Sequence, residues 1–309
     1  NDYNGTDDAS DIYAIGTTIV TWTITDACGN VSTCTQTVVV NDQQAPVFTI
    51  PAVTTASTTA PACSYTASMG EFDPAVTDNC YVNSMTYVLS GATTGSGSSS
   101  VDGEVFNLGV TNVAWTITDG GGNITTFNYD ITISDDDAPV ISGCPSNIVQ
   151  PRSCAGPVSW TPPTAMDNCG GVTVSSNYDP GDVFPVGTTT VTYTFTDGSS
   201  NVSTCSFDVV INQLSASHSA SGFNGFNISC NGANDGYIDL AVNNESGPLT
   251  YSWTGPGGFT AATEDISGLV AGTYNVTITD GPCSITYSAT LSEPAPLSAT
   301  ATATDVTCP

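Results

Sequence analysis

Three copies of one strand–turn–strand pattern constrain this chain more than any other feature. Residues 16–26 read GTTIVTWTITD, 109–119 read GVTNVAWTITD and 187–197 read GTTTVTYTFTD. Each closing Asp opens a short turn that ends on Asn: Asp26 to Asn30, Asp119 to Asn123, Asp197 to Asn201. A second run follows each turn: VSTCTQTVVV, ITTFNYDITI and VSTCSFDVVI. Repetition at this spacing marks an array of similar units, so the chain is read as modules in series. Within each run apolar residues alternate with threonines, which is the period of a half-buried strand. Val20, Trp22 and Ile24 share one face, as do Val113, Trp115 and Ile117, and Val191, Tyr193 and Phe195. Asp and Gly between two such runs predict a hairpin. No segment carries an apolar period of 3.6. The fold class expected is all-β, with tandem antiparallel β-sandwich modules arranged as a rod.

Two further elements recur upstream of the hairpins. Residues 72–81, FDPAVTDNCY, match 160–170, WTPPTAMDNCG, and residues 44–53, QAPVFTIPAV, match 137–146, DAPVISGCPS. The boundaries follow: 1–43 is the back half of a module, 44–136 is a whole one, and 137–213 is another. Composition narrows the partners. Asp and Glu number 29 against one Lys or Arg, for a formal charge of -28. Such a chain repels nucleic acid and anionic lipid and attracts cations. No apolar run reaches membrane-spanning length, so no membrane insertion is expected. Eleven cysteines with a single histidine, and no C-x-x-C pair, read as disulfides formed in an oxidising compartment.

Residues 137–213 place CP, a second Cys, WTPPTAMDNC and then GTTTVTYTFTDGSSNVSTC in one order. That order resembles the hyalin repeat, an immunoglobulin-like adhesion module. The resemblance covers 1–213 and is looser in 44–136, which lacks two of the four cysteines. It implies immunoglobulin-like sandwiches. Beyond it, CNGANDGYIDL at 230–240, YSWTGPGG at 251–258 and ISGLVAGTYNVTITD at 266–280 resemble the SprB repeat of large Bacteroidetes gliding and surface adhesins. This assigns 214–296 to an SprB-like sandwich with strands near 237–242, 249–254, 273–279 and 284–291. Residues 297–309 start a further copy.

Comparing the copies yields a disulfide scheme. Cys63 and Cys80 match Cys154 and Cys169, while Ile50 and Phe127 stand where Cys144 and Cys205 do. Two cysteines missing together imply a pair. The expected bridges are Cys144–Cys205, Cys154–Cys169, Cys63–Cys80 and Cys230–Cys283. Cys28 and Cys34 are expected to pair either locally or with residues preceding the sequence, and Cys308 to be open or bonded to residues beyond it.

The junctions carry the sharpest functional signal. NDQQAPVF at 41–48 and DDDAPVI at 135–141 look like the cadherin linkers that calcium stiffens. In an immunoglobulin-like module the last hairpin turn lies at the pole where the chain enters. Asp135, Asp136 and Asp137 are therefore expected to face Asp167, Asn168, Asp197 and Asn201. Asn41 and Asp42 are expected to face Asp78, Asn79, Asp119 and Asn123. Calcium takes six to eight oxygen ligands, which these sets can supply. The bland alternative is that Asp and Asn are ordinary turn formers. The junction at 213–217 lacks carboxylates and is expected to be a metal-free hinge.

Enzyme chemistry finds little support. His218 is expected in a Ser-rich linker with no nucleophile beside it, and no lysine is available for a Schiff base. The glycine-rich stretch 95–100 reads as a flexible hairpin tip. The expected function is structural: a segment of a secreted, extracellular cell-surface filament or gliding adhesin. Its modules would be stiffened by disulfides and calcium, with neighbouring modules, surface polysaccharide or other adhesin copies as partners. The alternatives are a glycan-binding module, with Tyr251 and Trp253 as candidate platforms, and a passive self-associating sheath filament.

Overall fold

The computed structural model describes residues 1–150 and 154–303. Arg152 and Cys308 lie outside that range, as does the end of the proposed 297–309 repeat. The only helix among the described residues is a single 3-10 turn, Pro256–Gly258. Among the described residues, no helix is long and apolar enough to cross a membrane. Two compact units result, and they cut across the modules read from the sequence. One comprises 1–139 with the loops 166–172 and 196–201. The other comprises 140–165, 173–195 and 202–309.

The first unit opens on β1 (Gly16–Thr25) and β2 (Val31–Val40), a hairpin in register from Gly16↔Val40 to Thr25↔Val31. Nine strands follow: β3 (Val47–Thr49), β4 (Thr55–Ser57), β5 (Ser64–Thr66), β6 (Ala75–Thr77), β7 (Val82–Gly91), β8 (Gly95–Ser98), β9 (Val105–Asn107), β10 (Gly109–Asp119) and β11 (Ile124–Ser134). The main sheet runs β4-β11-β10-β7-β8, with β3–β6 and β5–β9 as separate pairs. The alternation read from the sequence does its work here. Val113, Trp115, Ile117 and Ile131 are buried, and Val113, Trp115 and Ile131 pack with Phe72, Phe106, Tyr87 and Leu89. The Trp115 indole N–H donates to Tyr129 Oη at 3.1 Å, and that hydroxyl donates to the Phe72 carbonyl, so the buried polar groups are satisfied.

Stretch 95–100 is not a loose tip: its first four residues form β8, paired to β7 from Thr86↔Ser98 to Leu89↔Gly95. Gly97 is needed there because a Cβ would stand 2.3 Å from Tyr87 Oη. In the isolated β1–β2 hairpin the same alternation buries less. Val20 is buried, but Ile24 is 66% exposed, because no second sheet covers that face.

The second unit holds β12 (Val140–Ser142), β13 (Ile148–Gln150), β14 (Gly156–Pro157), β15 (Thr164–Met166), β16 (Thr173–Ser176), β17 (Val183–Phe184), β18 (Gly187–Thr196) and β19 (Val202–Ile211). Its main sheet is β13-β19-β18-β16. As in the first unit, a short edge strand lies parallel to the last long strand, β13 on β19 here and β4 on β11 there. Then come β20 (Ser215–Ala220), β21 (Gly236–Asn243), β22 (Leu249–Thr254), β23 (Thr260–Ala261), β24 (Ile266–Leu269), β25 (Gly272–Asp280) and β26 (Cys283–Leu291). They form sheets β20-β21-β24 and β23-β22-β25-β26 around Trp253, Tyr274, Val276, Ile278 and Leu240.

The stretch at 213–218 expected as hinge and linker is strand from Ser215 onward, as β20. Leu214 is buried in this core, and His218 sits on β20 with its Nδ1 2.7 Å from Tyr287 Oη. The serines that read as linker are the solvent face of an edge strand.

Among the described residues there are three disulfides. Cys144 is bonded to Cys205, joining the segment before β13 to β19. The other expected pairs are replaced. Cys63 bonds Cys169, not Cys80, and Cys154 bonds Cys283, not Cys169. Cys80 and Cys230 are free and exposed, as are Cys28 and Cys34. Comparison within a module treats each copy as closed, whereas bonding depends on which cysteines the packing brings together. Here Cys63 and Cys169 share the first compact unit and Cys154 and Cys283 the second, with Cα–Cα distances of 4.7 and 5.5 Å.

Candidate metal centres at the module junctions

Each Asp-x-x-x-Asn turn is closed by its own ends. Asp119 Oδ1 accepts the Asn123 N–H at 2.8 Å, and Asn123 Nδ2 donates to Asp119 Oδ2 at 2.8 Å. Asp197 and Asn201 repeat this at 2.8 and 3.0 Å, and Asp26 and Asn30 at 2.8 and 2.8 Å. Burial opposes the charge on Asp119 and Asp197. The Asn side-chain and backbone donors outweigh it and hold both carboxyls below the ordinary value. The turn asparagine then reaches the linker: Asn123 Nδ2 donates to the Asp42 carbonyl at 3.2 Å, and Asn201 Nδ2 to the Asp135 carbonyl at 2.9 Å.

Docking the linker on the turn gathers carboxylates. Asp42, Asp78 and Asp119 each place an oxygen within 4.8 Å of the others. At the second junction Asp135, Asp167 and the Cys169 sulfur do the same. Three of these oxygens are buried without any hydrogen-bond donor: Asp42 Oδ2, Asp78 Oδ1 and Asp135 Oδ2. Asp135 is only 5% exposed. A buried carboxylate oxygen with no donor is costly, and like charges at such distances repel. The chain's single Arg lies outside the described residues. A hard cation satisfies both deficits, and the donors present are the oxygen type that calcium and magnesium accept. The cysteine sulfur is committed elsewhere, to the bridge with Cys63.

The remaining expected residues divide by the side on which they fall. Asp137 Oδ2 accepts from Asn168 Nδ2 at 3.2 Å, and the same amide reaches the Ala62 carbonyl at 3.3 Å. Asp136 points away: it is exposed and its Oδ2 bonds Ser57 Oγ. Asn41 and Asn79 are also exposed. An extended linker turns alternate side chains to opposite faces, so Asp135 and Asp137 face inward while Asp136 faces out. Asp197, unlike its counterpart Asp119, does not join the mutual cluster and is spent on its own turn. The sequence reading missed Thr58, whose Oγ1 stands 3.5 Å from Asp135 Oδ1, and Gly121, where a Cβ would meet Asp42 Cβ at 2.7 Å. The three consecutive glycines of that turn were the available signal.

Comparison with known proteins bears on the same region. Residues 134–211 match the HYR domain. Over 210 residues, 65% of its length, the chain is 34% identical to "Hyalin" of Strongylocentrotus purpuratus, covering 17% of that protein. It is 34% identical over 209 residues to "Hyalin" of Lytechinus variegatus, covering 38% of it. A shorter match, 36% over 112 residues, is to a rat "Sushi, von Willebrand factor type A, EGF and pentraxin domain-containing protein 1". This covers 35% of the chain and 3% of that protein. The chain thus spans well under half of the curated relatives it matches. Among solved structures, the protocadherin GammaB4 extracellular domain overlays 90% of the chain and 53% of its own at a TM-score of 0.30 and 12% identity. A mouse cadherin-23 fragment overlays 80% and 97% at 0.28 and 16%. Scores this low carry no argument.

Proposed function

We propose that this chain is a segment of a secreted, extracellular adhesion fibre whose β-sandwich modules are held in line by disulfides and by calcium at the junctions. The observation that carries the reading is the recurrence of one acidic arrangement. Asp42, Asp78 and Asp119 gather at the first junction and Asp135 and Asp167 at the second, and both junctions leave buried carboxylate oxygens without donors. A cation held between a linker and the loops of the following module costs free energy to lose, so it resists bending there. Similarity to the hyalins supports an extracellular adhesive setting. The SprB-like reading of 214–296 extends this to a surface or gliding filament whose partners are neighbouring modules, other copies or surface polysaccharide. The glycan-platform alternative loses its main candidate, because Trp253 is 1% exposed and its indole N–H is spent on the Thr263 carbonyl.

Calorimetric titration of the 309-residue chain with calcium tests the reading, together with near-UV circular dichroism during heating in calcium or in chelator. Two binding events are expected. Free calcium at 100 times its Kd should raise stability by about 2.7 kcal/mol per independent site. Absence of both the heat and the shift in Tm would end the proposal.

A further inference from the structure

Cys63 and Cys154 hold the same place in successive modules. Each follows the short parallel edge strand, β4 or β13, and precedes the next short pair, β5 or β14. Each bonds forward, to a cysteine of the following module: Cys63 to Cys169 across 106 residues, Cys154 to Cys283 across 129. The two loops interleave, because 154 precedes 169. A force applied between residues 1 and 309 therefore follows a short covalent route. It runs along the backbone to Cys63, across to Cys169, back to Cys154, across to Cys283 and on to the end. Residues 64–153 and 170–282 lie off that route. They contain β5 to β13, with the Trp115 core, and β16 to β25, with the Trp253 core.

We infer that the forward-reaching disulfides act as a covalent load-bearing bypass, which keeps most of each module out of the tensioned path whether or not the junctions hold calcium. A hydrogen-bonded hairpin such as β10–β11 yields under force by losing its ladder. Behind a bridge, that ladder carries no load until a disulfide breaks. The Cys144–Cys205 bridge lies off the shortest route and does not shorten it further.

The test is single-molecule stretching of the oxidised 309-residue chain with handles at residues 1 and 309, repeated after a water-soluble phosphine. Each bridge takes two electrons and two protons to become two thiols, while the phosphine gains water oxygen as its oxide. At about 3.5 Å per residue the reduced chain should extend to about 1,100 Å, and the oxidised chain to about a third of that. The double variants Cys63→Ser/Cys169→Ser and Cys154→Ser/Cys283→Ser should each give an intermediate length. Chelator should change the unfolding forces and leave the final lengths unchanged, which separates this outcome from that of the calcium proposal. An oxidised length above half of the reduced one overturns the bypass, as pairing within modules would produce. A peptide map of the unreduced protein, cut at Asp and Glu because basic residues are nearly absent, gives a second reading that does not depend on folded variants. Linked peptides bearing Cys63–Cys80 or Cys230–Cys283 overturn it; Cys63–Cys169 and Cys154–Cys283 sustain it.

Discussion

At the second junction, neighbouring aspartates of one linker have different jobs because an extended backbone alternates its side chains. Asp135 is buried with one oxygen lacking a donor, while Asp136 is exposed and bonded to Ser57. Asp135→Asn should therefore abolish most of the calcium-dependent rise in Tm from that junction, and Asp136→Asn should leave it nearly intact. Equal losses in the two variants would show that the linker acts only through its total charge. Tyrosines behave differently. Tyr129 is pushed up to about 12 by burial, against the opposing effect of its bond from Trp115 and with a smaller upward push from the Asp73 charge. A phenol whose pKa is higher in the folded state adds stability that is complete below the unfolded value near 10. That stability is lost as pH rises from about 10 to 12. Absorbance at the phenolate band should show Tyr129 remaining protonated in the folded chain until pH approaches about 12, and Tyr129→Phe should flatten this stretch of the stability profile.

The β-hairpin is the element that recurs, and its surroundings set its energetics. Ile24 and Ile117 are equivalent positions, but Ile117 is fully buried and Ile24 is 66% exposed. Ile117→Ala should cost about 2–5 kcal/mol in denaturant unfolding, as a truncation in a packed core. Ile24→Ala should cost less than about 0.5 kcal/mol, as a surface change. Similar costs would mean that the first hairpin's face is covered in solution. Strand positions, hairpin pairing and the core face of β10, β11, β18 and β19 were legible because period-two alternation is local. Strand β8 and the role of β20 were not. Glycine and serine carry no hydrophobic signal, so only the pairing with β7 and β21 reveals them as strands.

Across the whole chain, the repeats and the acidic composition indicated by themselves an all-β array and the aspartates at its junctions. These follow from local alternation and from counting charges, neither of which needs the third dimension. The disulfide partners and the inward or outward sense of each linker residue were decided only in the tertiary structure. Cysteines 106 and 129 residues apart bond because packing places them within reach. Likewise, a carboxylate becomes a candidate ligand because the Asn123 and Asn201 amides hold the linker backbone against the turn. Such proximities depend on contacts between residues distant in sequence, which no local pattern encodes.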